Sequence, residues 1–228
     1  MRCMNLLLVM MLFTVSCSPV PELELLRPSK VPGIEERCSI PFPVGEWQFI
    51  HSIEALMPGG RETVVIGIID ISPGSGTIHC VIVTIEGLVL FDALYDKKII
   101  INRGIHPFGS TEFARGLVND IKLMFFRPAG ELIGTGVPAN GSSVCRYGDN
   151  GGPVIDVITN QDQTWEIRKY MNNSLSRSVK ALLCGDKVEG EMKAIPCRLE
   201  LRAYENPGYE LKFRLIKAER LTQKTVHN

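Results

Sequence analysis

The chain has 228 residues, a formal net charge of zero and 45% apolar residues. That balance excludes a disordered polar chain, which lacks the material for a core, and a nucleic-acid binder, which needs a basic stripe to neutralise phosphates. The length suits one large domain or two small ones.

Arg2 supplies a short basic segment, and Leu6 to Val15 form an apolar run. Crossing a bilayer as a helix takes roughly 20 apolar residues, so this run is too short to span and has the length of a secretory signal. It ends in Thr14-Val15-Ser16-Cys17. This ending resembles the bacterial lipobox, where the signal is cut before a cysteine whose thiol is then acylated. Thr14 departs from the Leu usual at its position. The resemblance implies a signal over residues 1–16, lipid attachment at Cys17, and membrane contact through that covalent lipid. Ser18 follows, and by likeness to enterobacterial lipoproteins the absence of Asp there implies sorting to the outer membrane. Residues 17–45 hold six prolines and no sustained period, so they read as a lipidated N-terminus and extended tether.

From Glu46 the pattern turns strand-like. Trp47 to Leu56, Arg61 to Ser72, Thr77 to Ile85, Leu88 to Tyr95 and Ile99 to Asn102 read as strands, and Arg61 to Ser72 is rich in β-branched residues. They are separated by turn signals such as Pro58-Gly59-Gly60 and Pro73-Gly74-Ser75-Gly76. Short connections force antiparallel pairing. Between Arg61 and Leu94 both alternating faces are largely apolar, so both are expected to be covered. Ser110 to Phe126 breaks the pattern: Phe113, Leu117, Ile121 and Met124 share one helical face, Ser110 caps the start, and Pro128 stops the helix. Strands resume at Ser142 to Tyr147, Pro153 to Thr159, Thr164 to Tyr170 and Arg177 to Leu183. A closing hairpin follows, in which Leu199, Leu201 and Ala203, then Leu211, Phe213 and Leu215, alternate with charged residues. The folded domain is thus expected over residues 46–221, with a short tail at 222–228.

Five cysteines lie beyond Cys17, an odd number, so at least one is free or paired outside the chain. Cys80 sits in a strand-like run and is expected as a buried thiol. Cys184 and Cys197 flank a Gly-rich charged loop and are the favoured disulfide pair, although spacing alone does not fix connectivity. Gly148-Asp149-Asn150-Gly151-Gly152-Pro153 resembles the box around the nucleophile of chymotrypsin-like proteases. Asn150 stands where the serine belongs, and an amide cannot be activated to attack a carbonyl, so the stretch reads as a turn. The histidines are isolated, and none has a metal-ligand neighbour. Neither catalysis nor a cofactor or metal is expected.

Taken in order, the lipidated cysteine, the meander, the segment Gly87-Leu88-Val89-Leu90-Phe91-Asp92-Ala93-Leu94-Tyr95-Asp96, the helix and a closing hairpin with Gly208-Tyr209-Glu210-Leu211 resemble the LolA/LolB superfamily of lipoprotein carriers and receptors. The likeness is greatest to uncharacterised LolB-like outer-membrane lipoproteins. It implies a mainly β, α+β fold: an incomplete antiparallel barrel around an apolar cavity with a helical lid. It also implies a periplasm-facing domain that binds an acyl chain or lipoprotein, received from a periplasmic carrier protein. The helix face of Phe113, Leu117, Ile121 and Met124 would close on a wall containing Phe91 and Tyr95, although Leu90 and Leu94 on the other face of that strand are apolar too. In LolB a loop projects an apolar residue just before a glycine; here Glu86 holds that position, so bilayer insertion is expected to be poor. The alternative is a structural or assembly lipoprotein that uses the same fold as a protein-interaction scaffold.

Overall fold

The computed structural model describes residue 20 and residues 33–137, 141–162, 164–183 and 195–221. A short helix, α1 (Ile34–Ser39), precedes five strands: β1 (Trp47–Met57), β2 (Arg61–Ser72), β3 (Thr77–Val83), β4 (Val89–Asp96) and β5 (Lys98–Gly104). Each follows its predecessor through a tight turn, so each pairs with it antiparallel. The long helix α2 (Thr111–Phe125) intervenes. A second meander follows: β6 (Glu131–Gly136), β7 (Ser143–Gly148), β8 (Val154–Thr159), β9 (Trp165–Met171), β10 (Ser174–Leu183), β11 (Pro196–Ala203) and β12 (Tyr209–Arg220). The last strand returns to pair with the first, which fuses both meanders into one twelve-stranded sheet of order β5-β4-β3-β2-β1-β12-β11-β10-β9-β8-β7-β6. The sheet does not close: β5 and β6 are its two edges. This is the incomplete antiparallel barrel expected from the sequence.

Period-two alternation gives the sheet a buried inner face and a wet outer one. Phe49, Ile53, Val65, Ile69, Ile78, Phe91, Leu199, Leu201 and Phe213 belong to the inner set, and all are buried. Each such side chain stabilises the fold by about 1.5–3 kcal/mol. Gly67 in β2 is part of this packing, since a Cβ there would lie 2.6 Å from Ile53 Cδ1. The outer face of β1–β5 departs from expectation. Between Arg61 and Leu94 both faces are largely apolar in sequence, yet among the described residues no element covers the outer one; Val64 and Leu94 are exposed there, as is Ile100 beside them. The helices lie on the inner side, and α1 and α2 do not reach around the edge.

α2 begins where the sequence places it. Ser110 Oγ accepts the Phe113 backbone N–H at 3.0 Å, which satisfies one of the free donors of the first turn. Its buried surface is broader than one stripe: Ala114, Val118, Asp120, Ile121, Leu123, Met124 and Phe125 are all buried. Phe113 and Leu117 are half-buried. The helix touches β4 through Phe91 and Phe113, β1 through Phe49 and Phe125, and β10 and β12 through Asp120. Contacts to strands so far apart in the sheet order mean that the sheet curls about the helix, and a curled wall covers more than one side.

Candidate functional site

The concave wall and the helix lying across it form the candidate site. Strand alternation turns Phe91, Ala93 and Tyr95 inward and Leu94 outward, while Leu90 is half-buried and also packs against the core. Phe91 meets Phe113 edge to face with ring centroids 5.2 Å apart, and Phe113 meets Phe108 at the same separation. The Lys122 ammonium sits 3.9 Å above the Tyr95 ring, a cation–π contact at the rim. At the other end of α2, Phe125 stacks on Phe49 at 4.9 Å. All six cavity candidates, Phe91, Tyr95, Phe113, Leu117, Ile121 and Met124, thus join one continuous apolar cluster. Apolar side chains of this kind offer a ligand burial without directional contacts.

Polar groups enter this wall in a few places, and sequence reading singled out none of them. Asp120 projects from α2 and is buried; Arg177 of β10 approaches it at 3.2 Å, and the Tyr209 hydroxyl of β12 donates to its other oxygen. Arg177 also pairs with Glu205 at 2.9 Å. Burial pushes the Asp120 carboxyl up, against the opposing pull of Tyr209 and Arg177. Burial likewise raises the Tyr209 phenol. The group therefore ties the helix to the far half of the sheet. An Asp on the polar side of a helical wheel carries no mark of this role, because its partners come from strands more than fifty residues away. His51 is also buried among Phe49, Phe125 and Phe213, and its Nδ1 has no hydrogen-bond partner. Desolvation lowers its pKa to about 4, so the ring is neutral at physiological pH.

The other half of the wall is covered by α1, within the stretch expected to be tether. Ile34, Cys38 and Phe42 are buried in the core, and Cys38 is disulfide-bonded to Cys145 of β7. Arg37 adds a 3.4 Å hydrogen bond to Ser143. The packed structure thus starts before residue 46. The reason is burial and a cross-link supplied by a distant strand, which local composition does not encode. Cys80 is a free buried thiol as expected, and burial pushes its pKa up to about 12, so it is inert as a nucleophile. Cys197 is disulfide-bonded; Cys184, its expected partner, lies outside the described residues, as do Cys17 and Ser18.

Glu86 occupies the tip of the turn between β3 and β4. Gly87 has φ +89°, a conformation that favours glycine, and its N–H closes the turn onto Thr84 O at 3.0 Å. Hydrogen bonds from the Thr84 side chain and the Glu86 backbone lower the carboxyl's pKa. Ile85 and Leu88, on either side, are 71% and 51% exposed, so the tip is more apolar than its central residue suggests. On the outer face, His79 Nε2 lies 3.1 Å from Asp92 and its Nδ1 3.5 Å from Asp70. Gln48 and Asn102 extend this row. The row bridges five strands and has no nucleophile beside it. Asp149 to Gly152 form the turn between β7 and β8, as read from the sequence. Among the described residues no cluster suits a metal ion, and no helix is long and apolar enough to cross a membrane.

No family model and no curated protein matches the sequence. Among solved structures, the chain is similar to the LolA superfamily protein NE2245 from Nitrosomonas europaea, with a TM-score of 0.50 and 11% identity over 83% of this chain and 92% of that one. The likeness defines the fold class: an open antiparallel sheet of the LolA type, curled about a helix.

Proposed function

We propose that the protein is a lipid-anchored, LolB-like binding protein that holds an acyl chain, free or as part of a lipoprotein, between α2 and the inner wall. On this reading Cys17 carries the anchor, Ser18 directs it to the outer membrane, and the domain faces the periplasm, where a soluble carrier protein delivers its ligand. The observation that carries the proposal is α2, buried on more than one side against a curled sheet whose inner face carries a continuous apolar cluster. A wall of this composition favours acyl chains by about 0.8 kcal/mol per buried CH₂ and discriminates little between headgroups. Binding rather than catalysis fits a site whose titratable groups are engaged in packing.

The close packing of Phe113 on Phe91 and Phe125 on Phe49 favours a second reading. If α2 never leaves the wall, the same fold serves as a solid scaffold for protein contacts. Native mass spectrometry of the protein released from membranes separates the two. Co-purified acyl species, and displacement of a fluorescent fatty acid, are expected; a protein that carries neither and binds no fatty acid is a scaffold. Replacing Cys17 with Ala is expected to release the chain from membranes or leave it unprocessed. Membrane retention of a normally cleaved Cys17→Ala protein would refute the anchor.

A further inference from the structure

We infer that the outer face carries a phosphate-binding site between Arg198 and Arg214, on the opposite side of the sheet from the acyl site and independent of it. The argument comes from two neighbouring cross-strand rows. In one, Lys180, Glu200, Lys212 and Glu54 face one another in turn across β10, β11, β12 and β1. Charges alternate along it, as a self-sufficient surface requires. In the next row the order is Leu182, Arg198, Arg214 and Ser52. Two arginines stand directly opposite each other in register with no carboxylate in the row.

Like charges in direct opposition destabilise a sheet, and nearby acids do not relieve this pair. Arg202 holds Glu200 at 2.7 Å, and Glu210 is shared by Arg202 and Lys212. Among the described residues neither Arg198 nor Arg214 has an ion-pair partner. Together with Lys180 and Lys212 they line a depression of about 390 Å³, to which Glu54 and Glu200 also contribute. Four cations against two carboxylates leave the depression positive. Opposed Cβ atoms lie about 5 Å apart, so two planar forks can converge on one tetrahedral oxyanion, with bidentate geometry that Lys does not offer. Leu182, 49% exposed at the end of the row, gives the apolar part of a phosphate ester a surface to rest on. The ligand is therefore a phosphate group, carried by a free monoester or by a lipid headgroup.

Thermal unfolding of the whole protein, in chloride and in inorganic phosphate at equal ionic strength and mildly alkaline pH, tests the site. Phosphate is expected to raise the midpoint. Arg198→Gln and Arg214→Gln should each raise the midpoint without phosphate, by removing the repulsion, and weaken phosphate binding about tenfold or more. Lys98→Gln, on edge strand β5, should leave the phosphate effect intact. Flotation of the Cys17→Ala protein with phosphatidylcholine vesicles, with and without phosphatidic acid, distinguishes the sources. Flotation that needs phosphatidic acid and is lost in Arg214→Gln assigns a lipid phosphate; a phosphate effect without flotation assigns a free one. A wild-type midpoint indifferent to phosphate, or an effect that survives both arginine substitutions, overturns the inference. Neither result bears on acyl binding.

Discussion

Removing the Cys38–Cys145 bridge tests how α1 is held. The two cysteines are 107 residues apart in sequence, and closing a loop of that length removes about 5 kcal/mol of chain entropy from the unfolded state at 25 °C. Cys38→Ala with Cys145→Ala deletes the bridge without leaving a lone thiol. α1 then rests on the burial of Ile34 and Phe42 and on the Arg37–Ser143 hydrogen bond. Two apolar side chains supply about 3–6 kcal/mol, offset by the cost of ordering a six-residue helix at roughly 1–2 kcal/mol per residue. The balance is unfavourable, so α1 should detach while the sheet remains folded. Urea unfolding of the double variant should show a lower midpoint and a stability reduced by up to about 5 kcal/mol, with a larger dependence on denaturant as the unfolded chain expands. Limited proteolysis should open cleavage near Arg37. Arg37 still protected, with the whole of that ~5 kcal/mol lost, would show that α1 is held by packing and refute the argument.

Three further outcomes follow from individual side chains. His51 has a folded pKa of about 4 against 6.5 unfolded, so its contribution is present above pH 6.5 and is lost as pH falls towards 4, by about 3 kcal/mol; acid titration of stability should flatten in His51→Phe. Asp120→Ala strips the buried partner from Arg177 and Tyr209, and should cost about 3–5 kcal/mol while speeding fatty-acid uptake by freeing α2; stopped-flow fluorescence reads the rate, and an unchanged rate would show that the tie does not gate entry. Glu86 is expected to resist bilayer entry, since an ionised carboxylate is expensive in a membrane. Transfer of a labelled lipoprotein to liposomes should therefore be weak in wild type and rise in Glu86→Leu, where Ile85 and Leu88 already flank the tip; efficient wild-type transfer contradicts this.

Much of the sheet is legible in the chain because hairpins are local. Turn residues such as Pro58-Gly59-Gly60 bound the strands, and alternation fixes which residues point inward. The helix start is legible for the same reason, since Ser110 and Phe113 are three residues apart. What the sequence does not display is long-range. The stripe Phe113, Leu117, Ile121 and Met124 satisfies helical spacing, yet the curled wall buries Ala114 and Val118 more deeply than Phe113 and Leu117. α1 is six residues in a proline-bounded stretch, and only the bridge to Cys145 reveals it. Asp120 reads as an ordinary polar position until Arg177 and Tyr209 arrive from other strands. β6 is short, and its two glycines hide the strand period.

The packing of α2 also sets a requirement on any acyl ligand, and this is the sharpest test of the carrier reading. An acyl chain reaches the inner wall only by displacing the side chains that α2 now buries. Ile121 and Met124, fully buried, with Phe113 and Leu117, half-buried, together represent about 4.5–9 kcal/mol of burial, and the Asp120 tie adds to the cost of moving the helix. A sixteen-carbon chain offers about 12 kcal/mol at 0.8 kcal/mol per CH₂, whereas an eight-carbon chain offers only about 6. Exchange is therefore close to balanced for long chains, which is what reversible loading needs, and unfavourable for short ones. Affinity measured by displacement of a fluorescent fatty acid should rise steeply with chain length and vanish near eight carbons. Asp120→Ala, by lowering the cost of moving α2, should shift that threshold to shorter chains. A flat dependence on chain length would mean that ligand binds without displacing the helix, and the inner wall would then not be the site.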